Sequence, residues 1–167
     1  AQPRLLLEER FELGECPNWD GDNNRLYWGD IVGKKIHALD IATGQRHSWS
    51  FESEVGCFGL TDQGRLVVAL KSDVILFDPK TGAREKLAEV DGDNAMSRTN
   101  DGKIGPDGAF WIGTMDQNAD KQPVASLYRV TGEGTVEHKV GGIKISNGLA
   151  WSPDGTKMYH SDSRGPW

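Results

Sequence analysis

Residues 149–162 read LAWSPDGTKMYHSD. A short apolar run meets an Asp-Gly turn, and a second short run follows and ends in an acid. That is the pattern of two strands joined by tight-turn residues. Three other stretches carry it: PNWDGDNNRLYWGD (17–30), GLTDQGRLVVAL (59–70) and KIGPDGAFWIGT (103–114). The second strands begin at Leu26, Leu66, Phe110 and Met158, at intervals of 40, 44 and 48 residues. Such a period marks a repeat architecture.

Working outward, a third strand follows in the first three copies, at KIHALDIATGQ, DVILFDPKTGAR and SLYRVTGEGTVE. Asp40 and Asp78 are 38 residues apart, as are Gly44 and Gly82 in the two xTG steps, which are hairpin-turn chemistry. A fourth, outer strand is predicted at RHSWSF, REKLAEV and VEHKV. No segment holds helical periodicity over ten residues. Four short antiparallel strands per repeat spell an all-β chain and a β-propeller blade. A β-sandwich would not repeat turn and strand chemistry in this register. Residues 1–167 are therefore expected to form the N-terminal part of a single propeller domain, about three and a half blades. At this blade length six blades need roughly 250–290 residues. The sequence thus predicts an open arc that stops at Trp167, with the remaining blades supplied by further sequence or by a second chain.

Composition agrees with a turn-rich globular chain. Hydrophobic residues are 37% and charged residues 26%, with 21 glycines scattered without a collagen-like period. The formal charge of −6 and the lack of a basic cluster argue against a nucleic-acid partner. No apolar run approaches a membrane span, and the N-terminal AQPRLLLEERFELG lacks a signal-peptide core. Cys16 and Cys57 are too few for a disulfide framework, so a cytoplasmic setting is expected.

Immediately before the opening stretch stands KISNG (144–148). An Asn before Gly is ordinary turn chemistry. Yet Asn147 lies 11 residues before Met158, Glu15 lies 11 before Leu26, and Asn100 lies 10 before Phe110. In the second repeat these offsets reach Val55 and Gly56. The innermost strands of a propeller line its channel and all start at one end. Glu15, Asn100 and Asn147 are thus expected around the axis at one mouth. A carboxylate with amide carbonyls suits a hard cation. Arg98, two residues before Asn100, would be an ordinary surface base if taken alone, and a hold for an anionic or hydroxylated substrate if it faces the same mouth. The four histidines (37, 47, 138 and 160) show no metal-ligand spacing and argue against a zinc site built on them. Cys16 and Cys57 read as buried, inert thiols near the mouth, and Trp19, Trp28, Trp111 and Trp151 as blade packing. Asp30 and Asp162 end matching strands, where they either cap the pleat or face the channel.

The stretches ELGECPNW, SRTNDGKIGPDGAFWIGTM, SLYRV, ISNGLAWSPDGTKMYHSDS and the closing RGPW resemble the gluconolactonase and regucalcin (senescence marker protein) family of sugar lactonases. The resemblance implies a six-bladed propeller that hydrolyses a sugar lactone with one divalent cation on its axis. Ca²⁺ or Zn²⁺ is expected there, with Mg²⁺ or Mn²⁺ accepted. It implies Glu15 and Asn147 as metal ligands, and Arg98 and Asn100 as substrate contacts. The third ligand, an aspartate that is also the general base, falls beyond residue 167. A substrate-contacting acid in the loop after Met115 has no clear match, and Asn118 is the nearest position. The competing reading is a calcium-binding propeller whose cation is structural. Arg98 beside Asn100 favours the lactonase, because a buried structural ion gains nothing from a neighbouring cation.

Overall fold

The computed structural model describes residues 2–165, so the last two positions of RGPW lie outside the described residues. The described residues form fourteen strands and no helix. The first sheet holds β1 (Gly14–Asp20), β2 (Arg25–Asp30), β3 (Lys35–Asp40) and β4 (Arg46–Ser50), hydrogen-bonded in chain order. The second repeats this with β5 (Cys57–Leu60), β6 (Leu66–Ala69), β7 (Asp73–Phe77) and β8 (Arg84–Glu89). The third holds β9 (Ser97–Ile104), β10 (Phe110–Asp116), β11 (Ala125–Val130) and β12 (Val136–Ile143). A two-stranded sheet, β13 (Ser146–Trp151) and β14 (Met158–Asp162), follows. All neighbours are antiparallel. The first strands of successive sheets, β1, β5, β9 and β13, lie against one another. This is a β-propeller arc of three blades and the inner half of a fourth.

The blade turns follow from their residues. Gly64, Gly108 and Gly155 of three of the four Asp/Gly turns have φ of 73°, 76° and 69°, Asn24 in the first has 49°, and Gly44 and Gly82 of the xTG turns have 72° and 77°. The sheets are held face to face by alternation within strands. In β6, Leu66 and Val68 point into an apolar layer shared with Tyr27, Ile36 and Phe58 of the first two sheets. Val67 and Ala69 point the other way, into a layer with Phe110, Ile112 and Val130 of the third. Both faces of the second blade are covered, so β6 is buried throughout. A smaller layer, with Leu127, Ile143 and Leu149, joins the third blade to the fourth. Trp111 and Trp151 meet beside it edge to face, with centroids 6.2 Å apart. Trp19 departs from the packing role read for it: it is 54% exposed.

Asp30 and Asp162 resolve as caps. Asp30, at the end of β2, accepts hydrogen bonds from the backbone N–H groups of Glu12 (3.0 Å), Leu13 (2.9 Å) and Gly33 (2.9 Å). Asp162, at the end of β14, accepts from Lys144 (2.9 Å), Ile145 (2.9 Å) and Arg164 (3.0 Å). Each carboxylate therefore fastens the segment leading into its blade's innermost strand. Burial raises the Asp30 pKa, but the bonds from Gly33, Leu13 and Glu12 outweigh it and hold the carboxyl below its ordinary value. A depressed folded pKa gives stability that is present above the unfolded value of about 3.9 and is lost as pH falls through the folded one.

Asp30→Ala strands three donors and is expected to cost about 3 kcal/mol at neutral pH. Urea unfolding of the full chain measures it, and the gap from wild type should close as pH falls from about 5 toward 2.

Candidate metal and substrate site

Glu15 is the second residue of β1, and Asn147 is the second residue of β13. Their backbones are fixed alike. Asp30 holds residues 12 and 13, and Asp162 holds residues 144 and 145. Ile31 and Ser163 then donate backbone hydrogen bonds to the carbonyls of Leu13 and Ile145, both at 3.0 Å. The two side chains leave the backbone at one ladder position. Glu15 faces Gly29, three residues past Leu26, and Asn147 faces Ser161, three past Met158.

In both strands the ladder breaks directly afterwards, with register shifts between Glu15 and Asn18 and between Asn147 and Leu149. The next residue is left-handed in each: Cys16 at φ 54° and Gly148 at φ 65°. Such bulges bend a strand and re-aim a side chain. In β9 the shift faces Ile112 to Thr114, which puts both Asn100 and Asp101 beside Gly113. There a Cβ on Gly113 would sit 1.7 Å from Ser146 Oγ, so only glycine lets β10 of blade three and β13 of blade four approach this closely. The second blade differs. β5 has no bulge, and Cys57 faces Ala69, three residues past Leu66. The ladder therefore gives that place to Cys57, where counting residues pointed to Val55 and Gly56. A bulge adds one residue to β1, and the turn from Trp19 to its partner Leu26 is one residue longer than that from Leu60 to Leu66, neither of which offset counting can see.

Glu15, Asn100 and Asn147 line one cavity of about 260 Å³ at this end of the arc, together with Asp101 and Ser163. A second cavity of about 290 Å³ continues behind it past Glu15, Asp101 and Gly148. A larger apolar cleft of about 360 Å³ between Val67 and Phe110 of blades two and three lacks such a convergence of polar side chains. Asn147 Nδ2 donates to Ser163 Oγ (3.1 Å), which turns Oδ1 toward the Gly148 N–H at 3.0 Å. The Glu15 carboxylate has no hydrogen bond or ion pair among the described residues. Asn100 Nδ2 donates to the Ser146 carbonyl at 2.9 Å, and its Oδ1 accepts from Arg98 Nη1 at 3.2 Å.

Arg98 is 9% exposed and also donates to the Thr99 carbonyl at 2.8 Å. It has no carboxylate ion pair among the described residues, and burial pulls its pKa down against the attraction of Glu54. Arg98 stands behind Asn100, outside the cavity wall. Asn118 is not brought to the cavity. Its backbone N–H and Nδ2 both donate to Asp116 Oδ1, at 3.1 and 2.8 Å, within the loop after β10. Asp101 is the site residue that the sequence reading missed. Its signal was its place directly after Asn100.

Among the described residues no three His, Cys, Asp or Glu side chains form a group that could hold a metal ion. The donors that do converge are oxygens: the carboxylates of Glu15 and Asp101, the amide groups of Asn100 and Asn147, and the Ser163 hydroxyl. The nearby thiols do not compete. Burial pushes Cys16 up to about 12 and Cys57 well above its ordinary value. The histidines serve elsewhere: His37 stacks on Trp28, His47 meets Asp40 at 3.1 Å, and His138 and His160 meet Ser126 and Ser146 at 3.1 and 2.7 Å. An oxygen-only set with a free carboxylate fits a hard divalent cation better than a soft one.

Residues 13–166 match the family described as the SMP-30/gluconolactonase/LRE-like region. The chain belongs to that family. It is 42% identical over 160 residues to the 6-deoxy-6-sulfogluconolactonase of Pseudomonas putida, covering 96% of this chain and 55% of that protein. It is 33% identical over 166 residues to the L-arabinolactonase of Azospirillum brasilense, covering 98% of this chain and 55% of that one. Among solved structures it resembles a regucalcin of Agrobacterium tumefaciens, described as a calcium-binding protein. The TM-score is 0.89 at 31% identity, over 96% of this chain and 54% of that one. The chain thus spans about half the length of the relatives it matches.

Cys57, fully buried, should be silent to an aromatic disulfide reagent at about pH 8 in the folded chain, and half-buried Cys16, whose thiol is held protonated, should react slowly, since only the thiolate attacks. Absorbance should report two thiols on denaturation, and rapid native labelling of Cys16 would contradict its raised pKa.

Proposed function

We propose that this chain carries the first half of a cation-dependent sugar lactonase site, and that the complete protein hydrolyses a sugar lactone to its open-chain acid. The observation that carries the reading is the convergence of Glu15, Asn100 and Asn147 on one cavity, with a carboxylate that no group satisfies among the described residues. The family and its lactonase relatives support the reaction class. The two relatives named for different sugars leave the particular lactone to be determined by assay.

A lactone is an ester, so hydrolysis needs an activated water and a stabilised oxyanion. Glu15 and Asn147 would hold the cation, Ca²⁺ in the first instance with Zn²⁺, Mg²⁺ or Mn²⁺ as substitutes. A cation so placed would polarise the carbonyl and lower the pKa of water. Glu15 supplies the charge and Asn147 a neutral oxygen on stiff backbone. Asn100, with Arg98 behind it, presents polar groups to the sugar hydroxyls and fixes the ester's orientation. The proton acceptor for the attacking water is assigned to an aspartate in the half of the family's length that lies outside this chain. Asp101 is committed to backbone N–H groups and is not given that role. The remaining blades complete the cavity wall.

In the complete protein, Glu15→Gln removes a ligand charge and keeps the shape. Calcium affinity measured by calorimetry should fall at least tenfold, about 1.4 kcal/mol, and lactonase rate should fall with it. Unchanged affinity removes Glu15 from the site. If cation removal lowers the melting temperature but spares the rate, the structural-calcium reading replaces this one.

Asn100→Ala should raise KM or lower kcat on gluconolactone while calcium affinity changes less. If calcium binding collapses and the rate per bound cation holds, Asn100 is a ligand instead.

A further inference from the structure

We propose that Asp101 is a positioning residue for the oxygen donors of the cavity: reaching from β9 to β13, its carboxylate locks the bulge that presents Asn147. The inference rests on the reading of Asn147 as a cation donor given above.

The geometry has three parts. Asp101 Oδ2 accepts a hydrogen bond from the Gly148 N–H at 2.7 Å, across 47 residues of sequence and from one blade to the next. Its other oxygen, Oδ1, accepts from the Gly102 N–H at 2.9 Å, so the carboxylate is held at both ends. The Gly148 N–H is shared, since Asn147 Oδ1 also lies 3.0 Å from it. The bond to Asp101 is the shorter, and it ties this N–H to another strand instead of to the residue before it. Asp101 therefore takes the larger part of that N–H and leaves the Asn147 oxygen free to face the cavity. Without Asp101, the Gly148 N–H would turn wholly to Asn147 Oδ1 and close a ring between neighbouring residues over the very oxygen the cation needs.

The bulge itself needs such a tie. Gly148 at φ 65° is left-handed, and a strand returns readily to extended geometry when nothing opposes it. The first blade solves the same problem with another residue. Cys16, left-handed at φ 54° directly after Glu15, bonds through Sγ to the N–H and the carbonyl of Phe58 in β5, both at 3.4 Å. In both cases the residue after the donor is fastened to the inner strand of another blade. Asn100 adds a second tie between β9 and β13 through the Ser146 carbonyl. Asp101 lines both cavities, yet its two oxygens already serve backbone donors. It acts on the cation through Asn147 rather than by contact.

The test separates shape from charge. Asp101→Ala in the complete protein should weaken Ca²⁺ binding about tenfold in calorimetric titration, in the range for residues that orient metal ligands. Asp101→Asn keeps an oxygen that can accept the Gly148 N–H, and should restore affinity to within about threefold of wild type. A purely structural loss would lower the melting temperature of both variants without separating their affinities. A direct ligand or base role would leave the Asn variant as weak as the Ala variant. Should Asp101→Ala fail to fold, Gly148→Ala disturbs the same bulge from the other side, because its Cβ would meet Ser161 Oγ at 3.1 Å and sit at a strained φ. It should give the same loss. Wild-type affinity in Asp101→Ala or Gly148→Ala, or no rescue by Asn, overturns the proposal. Asn147→Ala distinguishes the two levels. If that variant binds Ca²⁺ normally, the donor reading falls and this inference with it; if it binds weakly while Asp101→Ala does not, only this inference falls.

Discussion

The clamp that a second-strand aspartate places on the start of the innermost strand is the interaction on which the site depends. Asp30 and Asp162 each gather backbone N–H groups from the chain just ahead of their own blade. A strand entering the centre of a propeller has no neighbour on its axial side, so its first N–H groups would otherwise be satisfied by water alone. A buried carboxylate satisfies several at once and fixes direction as well as position. The donors Glu15 and Asn147 follow the clamped residues Leu13 and Ile145 by two. The backbone at both donors inherits that precision.

The bulges then convert a regular strand into a site. In an unbroken ladder side chains alternate strictly between the two faces of a blade, and both faces are wanted for packing against neighbouring blades. β5 shows the regular case: Cys57 and Phe58 feed opposite apolar layers, and no polar group reaches the axis. β1, β9 and β13 each give up regularity at the mouth and gain a polar side chain there. Left-handed backbone is the cost. It is met by a glycine in β13 and, in β1, by a cysteine tied to the neighbouring strand.

Much of this was legible in the sequence because it repeats. The Asp/Gly turns fixed where second strands begin, and Leu26, Leu66, Phe110 and Met158 all fall in or at the start of the strands so predicted. Glu15 and Asn147 share an offset of 11 because their blades share a bulge. Where blades differ, counting failed. It pointed to Val55 and Gly56 in the unbulged blade, and it left Asp101 unread because a bulge sets two consecutive residues beside one partner. Trp19 misled for another reason. Its repeat position matches Trp151, but Trp151 has a third-blade Trp111 to pack against, and Trp19 is exposed in this arc. The caps were visible as a recurring acid, while their direction depended on backbone N–H groups that carry no sequence signature.

The proposed donors belong to different blades, so the affinity of a cation held by them would depend on the packing between blades. Apolar layers such as that of Leu127, Ile143 and Leu149 hold the third blade against the fourth. A shift of that contact moves Asn100 and Asp101 relative to Asn147 before it unfolds anything. The proposed cation would act in return on the same spacing, because a ligand that binds only the assembled arrangement stabilises it in proportion to the logarithm of its concentration. The narrow tie from Asp101 to Gly148 is where the two effects meet. It is too short to tolerate sliding between β9 and β13, and it is also what leaves the Asn147 oxygen available. Selection for a firm cation site and selection for firm packing between these two blades would therefore act on the same few atoms.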